Sequence, residues 1–190
     1  MKIRLPKILL TALLALVAPT LFALSSDFDI HVSAKMVGSE TKKASGEAKM
    51  GKDMYGQPSL NVGGGTNRTK ENWVYEITIE NKTFHEMAGL EVKYAIFFKQ
   101  EKQGKKADPI QNHQNGTLQI PAMRAHEKQM LTTDSVELNK SNLAGAYHYA
   151  NGGRKSAQDT LVGVVVRIYQ NGQQLAEYAN PSNLLQEKAD

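Results

Sequence analysis

The chain has 190 residues, no cysteine, and 23 Lys and Arg against 19 Asp and Glu, a formal net charge of +4. Without cysteine there is no disulfide, no thiol nucleophile and no lipid-anchored N-terminal cysteine. Three of the basic residues, Lys2, Arg4 and Lys7, fall within the first 25 positions, so the remainder carries 20 against 19 and lacks the clustered excess that nucleic-acid binding needs.

The first segment joins that basic start to the apolar run "ILLTALLALVAPTLFA" and then to small residues in "ALSS". This order predicts a secretory signal peptide over residues 1–25, with Ala23 and Ser25 at the positions that a signal peptidase reads. Pro19 interrupts the run, which argues against an uncleaved membrane anchor. About 165 residues then remain, enough for one domain at 26–190 that buries roughly two thirds of its unfolded surface without a covalent staple.

In "DFDIHVSAKMV" every second residue from Phe28 to Met36 is apolar, a period that predicts a half-buried strand. Gly38 to Lys70 changes character: it has few large apolar residues, a "GGG" at 63–65 and many lysines, and is expected to be a long surface excursion or insertion. "NWVYEITIEN" restores the alternation through Trp73, Tyr75, Ile77 and Ile79, and "NKTFHEMAG" supplies turn chemistry before "LEVKYAIFF" alternates again. Two strands joined so closely, with no 3.6-residue apolar period between them, imply an antiparallel pair or a crossing between two sheets.

"KQEKQGKKADP" is a charged loop, and "GTLQIPAM" predicts a short strand that Pro121 confines to an edge or an end. "RAHEKQMLTTDSVEL" predicts a turn and another strand, and 139–159 a Gly-containing loop with one helical turn. The sharpest local signal is "TLVGVVVRIYQNGQQLAEYA": Asn171-Gly172 supplies the two positive φ angles of a type I′ turn. Counting out from that turn pairs Gln170 with Gln173, Ile168 with Leu175 and Val165 with Tyr178, with Val162, Val164, Val166 and Ile168 facing inward. "NPSNLLQEKAD" predicts a short helix beginning at Pro181 or Ser182. Seven or so strands with long loops and at most short helices predict an all-β, antiparallel two-sheet sandwich; a closed barrel is the alternative, disfavoured by the blunted edges.

"WVYEITIENKTF", "LEVKYAIFF", "IPAMRAHEKQML" and "DTLVGVVVRIYQNGQQLAEYANP" together resemble the small secreted immunoglobulin-like β-sandwich proteins of verrucomicrobial bacteria, some of which are associated with type IV pilus-like gene clusters. The resemblance covers Asn72 to Pro181 and leaves the Gly38 to Lys70 excursion outside. It implies an immunoglobulin-like fold and an exported protein, and it brings no catalytic residue because no site motif is shared.

Neither "HEMAG" nor "HEKQM" completes the HExxH spacing, and His31, His85, His113, His126 and His148 are scattered. No G-x-S-x-G elbow is present, and "NVGGGTNRTK" has the glycines of a phosphate loop without its Lys spacing or a following helix. No catalytic residue, metal ligand or cofactor is therefore expected. Asn67, Asn81, Asn115 and Asn139 begin N-x-[ST] sequons. Trp73 is either a core anchor, the simpler reading of an aromatic in a period-2 row, or a sugar-stacking platform.

These observations predict a non-enzymatic exported module, in the periplasm, on the outer-membrane surface or secreted, that contacts other envelope or surface proteins. Pilus-like components are the partners that the resemblance implies. The expected interaction residues are Lys42, Lys43, Lys49, Lys52 and Tyr55 in the first excursion, Lys102, Lys105 and Lys106 in the second, and Tyr147 and Tyr149 in "GAYHYANGG". Those two tyrosines with Trp73 carry the rival reading, a carbohydrate-binding adhesion module. A hydrolase with a loop-assembled site stands third.

Overall fold

The computed structural model describes residues 27–43, 48–52, 58–62, 65–104, 107–144 and 155–186; the segment expected to be the signal peptide lies outside them. The described residues form eleven strands: β1 (Phe28–Lys42), β2 (Ala48–Lys52), β3 (Pro58–Val62), β4 (Thr66–Asn81), β5 (Met87–Gln100), β6 (Ile110–Met123), β7 (Lys128–Thr132), β8 (Val136–Leu143), β9 (Ser156–Gln158), β10 (Thr160–Gln170) and β11 (Gln173–Asn180). A 3-10 turn, η1 (Ser182–Gln186), follows β11 where the sequence predicts the short helix. One sheet has the order β1-β4-β8-β9, with β7 also on β4; the other has the order β11-β10-β5-β6; β2 and β3 pair with each other. With β7 and β8 counted as one strand, this is the immunoglobulin-like arrangement, each sheet assembled from chain-distant strands.

The sheets face each other because their alternating rows are apolar on one side. Ile77 and Ile79 from β4 meet Leu90, Val92 and Ile96 from β5, Ile120 from β6, and Val164, Val166 and Ile168 from β10, none more than 1% exposed. Each such side chain contributes about 1.5–3 kcal/mol by leaving water. The central strands β5 and β10 are covered on both faces. Ala95, Phe97 and Val165 on the outer face pack under Leu184 of η1, which explains why "YAIFF" and "GVVV" are continuous apolar runs rather than alternating ones.

Several expectations change. The Gly38 to Lys70 excursion is not one loop: β1 continues to Lys42, β4 already begins at Thr66, and Gly38 through Lys42 pair with Asn72 through Arg68. This ribbon runs past the core, so its residues need no apolar row and its sequence hides the strand. The row that starts with Phe28 and Ile30 in the core emerges by Met36, which is 48% exposed. β6 is fourteen residues long rather than a short strand, with Pro121 near its end and at a sheet margin as expected. Within 139–159, β8 reaches Leu143 and β9 spans Ser156–Gln158.

The β10–β11 turn forms as expected, with φ of 50° at Asn171 and 81° at Gly172. Gln170 pairs with Gln173, but Ile168 pairs with Ala176 and Val165 with Ala179, because the register shifts by one residue at Leu175. A second shift between Leu161 and Gly163 lets Val162 bulge. Val162 therefore packs with Val165 beside Leu184, while Leu161 takes the inward place that the alternation gives to Val162.

A Cβ on Gly163 would collide with the Asn180 carbonyl oxygen, with Pro181 and with Leu184. Gly163→Ala is expected to cost about 1–3 kcal/mol, as overpacking does. Gly38→Ala, whose nearest neighbour would be an ordinary 3.7 Å contact with Asn72, should stay within about 0.5 kcal/mol. Urea unfolding midpoints of the two variants make the comparison.

Candidate functional site

At one end of the sandwich β4 stops at Asn81, whose side chain is fully buried. Its Nδ2 donates to the carbonyls of His85 at 2.9 Å, Met123 at 3.3 Å and Arg124 at 3.0 Å. Its Oδ1 accepts from the Thr83 N–H at 3.0 Å and the Thr83 hydroxyl at 2.7 Å. The Asn81 main chain donates to Glu127 O and accepts from His126 N. One residue thus fixes both the β4–β5 and the β6–β7 connections. Glu127 braces the second of these, and the Arg124 N–H that it accepts holds its carboxyl below the usual range.

The turn so held presents Phe84 with 90% of its surface exposed. Its ring meets His126 edge-on at 5.1 Å, and His126 has a φ of 59°. Phe84 is the most exposed of the large apolar side chains among the described residues, and the turn that carries it is pinned.

In the middle of the molecule, Tyr94 of β5 reaches across to the β7–β8 junction, where its hydroxyl donates to Asp134 Oδ2 at 3.0 Å and accepts from Asp134 N at 2.9 Å. Thr133 continues the link, its hydroxyl accepting from Tyr75 N at 2.9 Å. Burial pushes Tyr75 up to about 12 and raises Tyr94 as well. Gly116 lies beneath Tyr94; a Cβ there would strike the phenol. At the far end Asp159, also buried, accepts from Glu101 N at 3.2 Å and Asn139 N at 2.9 Å.

That far end holds part of the expected interaction set. Lys42 and Lys43 are exposed where β1 ends, and Lys42 stands in register with Arg68, which is opposite Ser141, which is opposite Ala157. Lys102 is exposed in the loop whose Gln103 donates to Lys155 O at 2.6 Å, beside β9. The structure brings Lys42 and Lys102 to one end of the sandwich. Charge there is mixed: Lys42 lies 3.4 Å from Glu40, and Lys70 lies 3.0 Å from Glu137, whose carboxyl that hydrogen bond lowers. Lys49 and Lys52 lie on β2, opposite Asn61 and Pro58. Tyr55, Lys105, Lys106, Tyr147 and Tyr149 fall outside the described residues.

Trp73 is half-buried against the core, its Nε1 donating to Glu71 at 3.1 Å, so it is the anchor rather than the platform. Asn81 is unavailable as a sequon in the folded chain, because its amide nitrogen is consumed inside. A shallow depression over Gly116, lined by Lys93, Asn115, Arg167 and Tyr169, marks the outer face of the four-stranded sheet. Its cations are already engaged, Lys93 with Glu91 at 3.4 Å and the Tyr169 ring at 5.0 Å, and Arg167 with Glu177. No group of three metal-ligating side chains occurs among the described residues.

This arrangement defines an immunoglobulin-like β-sandwich whose distinguishing surface is at its ends and margins. No protein-family model and no curated protein matches the sequence. A crystal structure from Akkermansia muciniphila, a verrucomicrobial organism, aligns at 10% identity over 82% of this chain and 73% of that chain with a TM-score of 0.24. A likeness at that score carries no argument about fold or function.

Asn81 and Phe84 are within reach of the sequence: "NKTF" reads as a turn and its Asn as a sequon, but nothing in a period-2 pattern signals that the Asn points inward. Asn81→Ala leaves the carbonyls of His85, Met123 and Arg124 without this donor and should cost on the order of 3 kcal/mol. Amide exchange at Thr83 and His126 should rise more than at β10. The tyrosines set an alkaline limit. A buried phenol is favoured neutral, so stability is whole below the unfolded value near 10 and falls as pH climbs toward 12. Melting temperatures across that window should drop less steeply in Tyr75→Phe.

Proposed function

We propose that this chain is an exported, non-enzymatic immunoglobulin-like module that works by protein–protein contact in the cell envelope or at the cell surface. A pilus-like assembly is the kind of system to which the sequence resemblance points. The observation that carries the reading is Phe84, a bare aromatic ring on a turn whose backbone Asn81 holds in place. A rigid aromatic gives up little conformational freedom on association, and such residues dominate the binding energy of interfaces. The rest of the molecule supports it. The space between the sheets is filled by side chains, leaving the ends and margins as contact surfaces.

The carbohydrate reading loses Trp73, which packs against the core, while its Tyr147 and Tyr149 lie outside the described residues. Crosslinking in whole cells should trap this chain with a second envelope protein. Phe84→Ala should diminish that product several-fold while the melting temperature stays within a few degrees, as for a surface change. Equal crosslinking by the variant and the parent would remove Phe84 from the interface, and recovery of uncrosslinked chain alone would remove the reading.

A further inference from the structure

Among the described residues, the margins of the two large sheets are β1, β7 and β9 on one and β11 and β6 on the other. Exposed strand edges are templates for pairing with another chain, and proteins blunt them with charge, bulges or brevity. β1 carries Asp29, Lys35, Glu40 and Lys42 and a register shift at Val37. β7 is five residues long with Lys128, and β9 is three. β11 bears Glu177 and bulges at Leu175.

β6 has none of these along most of its length. It runs fourteen residues, "IQNHQNGTLQIPAM", without Asp, Glu, Lys or Arg, and pairs with β5 with no register shift. Its last turn is closed: Pro121 lacks an N–H, Ala122 O accepts from Gln129, and Met123 O accepts from Asn81. The stretch 112–120 is left as a margin with an unbroken register and no Asp, Glu, Lys or Arg. β6 is the one described strand longer than five residues without Asp, Glu, Lys or Arg.

We propose that β6 is the joining edge of a homodimer, in which residues 112–120 pair antiparallel with the same residues of a second copy about a two-fold axis and the two four-stranded sheets become one. The side chains favour a second copy over another partner. A two-fold contact sets a segment against itself, so like charges in it are brought together; this segment has no Asp, Glu, Lys or Arg. In that register Asn115 stands opposite Thr117 of the second copy and Gln119 opposite its His113, and each of these side chains can both donate and accept, so the facing pairs are complementary without a carboxylate or an ammonium group. Main-chain hydrogen bonds across the joint supply the affinity, as in other strand additions. The pairing rests on the reading that this chain acts by protein contact, and it names one partner.

The full chain as the cell exports it should shift from monomer to dimer between about 1 µM and about 1 mM in sedimentation equilibrium, the range of weak association. Asn115→Lys combined with Gln119→Lys, the second of which lies opposite Glu91 of β5, should raise the dissociation constant at least about tenfold and leave the circular dichroism unchanged. Asn115→Glu combined with Thr117→Glu, the second of which lies opposite Lys93, should do the same, and mixing the two variants should restore a dimer. Ser33→Lys on the guarded β1 margin should change nothing. A parent that stays monomeric throughout, a lysine variant that self-associates as tightly as the parent, or a mixture that fails to recover would each overturn the pairing. Crosslinks to a second envelope protein in whole cells would persist in that event, which separates this failure from failure of the protein-contact reading.

Discussion

The structure depends on the closing of a dry two-sheet interior by a few polar side chains at the places where strands leave one sheet for the other. Apolar rows bring β4 and β5 face to face without specifying how the chain turns between them. Where a strand leaves its ladder, any main-chain donor or acceptor that stays buried needs another partner. Asn81, the Thr133–Asp134–Tyr94 link and Asp159 answer that need at one end, the middle and the other end. All three join segments far apart in the sequence, so they fix topology where the hydrophobic rows fix only proximity.

The same constraint explains where surface for partners can lie. Among the described residues the space between the sheets is filled by Ile, Val and Leu, and the outer face of the four-stranded sheet is divided between the η1 cover over Phe97 and Val165 and the ion-paired depression over Gly116. What remains are ends made rigid by buried polar groups and margins made available by unguarded strands. Phe84 and β6 differ in kind: one offers a ring for insertion into a pocket, the other a row of main-chain groups.

Much of the architecture is legible in the sequence because burial enforces a period of two: the rows of β4, β5 and β10 and the Asn171-Gly172 turn are plain. The failures share one cause. Where a strand is not half-buried, no alternation marks it, so the polar ends of β1, β4 and β8 and the length of β6 read as loops. Bulges at Val162 and Leu175 move one residue out of phase, and a one-residue shift exchanges inside for outside without altering composition. Of the candidate site, the lysines are conspicuous in the sequence; Lys42 and Lys102 share one end of the sandwich, and Lys49 and Lys52 lie on β2. Asn81 is hidden because a turn-forming Asn and a fully buried Asn read alike.

The ribbon formed by the far halves of β1 and β4 has a further consequence. Beyond Trp73 it is held by ladder hydrogen bonds and by solvent-facing pairs such as Thr41 with Thr69 at 3.0 Å and Lys70 with Glu137, with little oily packing beneath. Interactions of that kind weaken with salt and open locally at small cost. The far half of β4 is also laddered to β8, so the part of β1 beyond Met36, paired on one side only among the described residues, is where opening costs least.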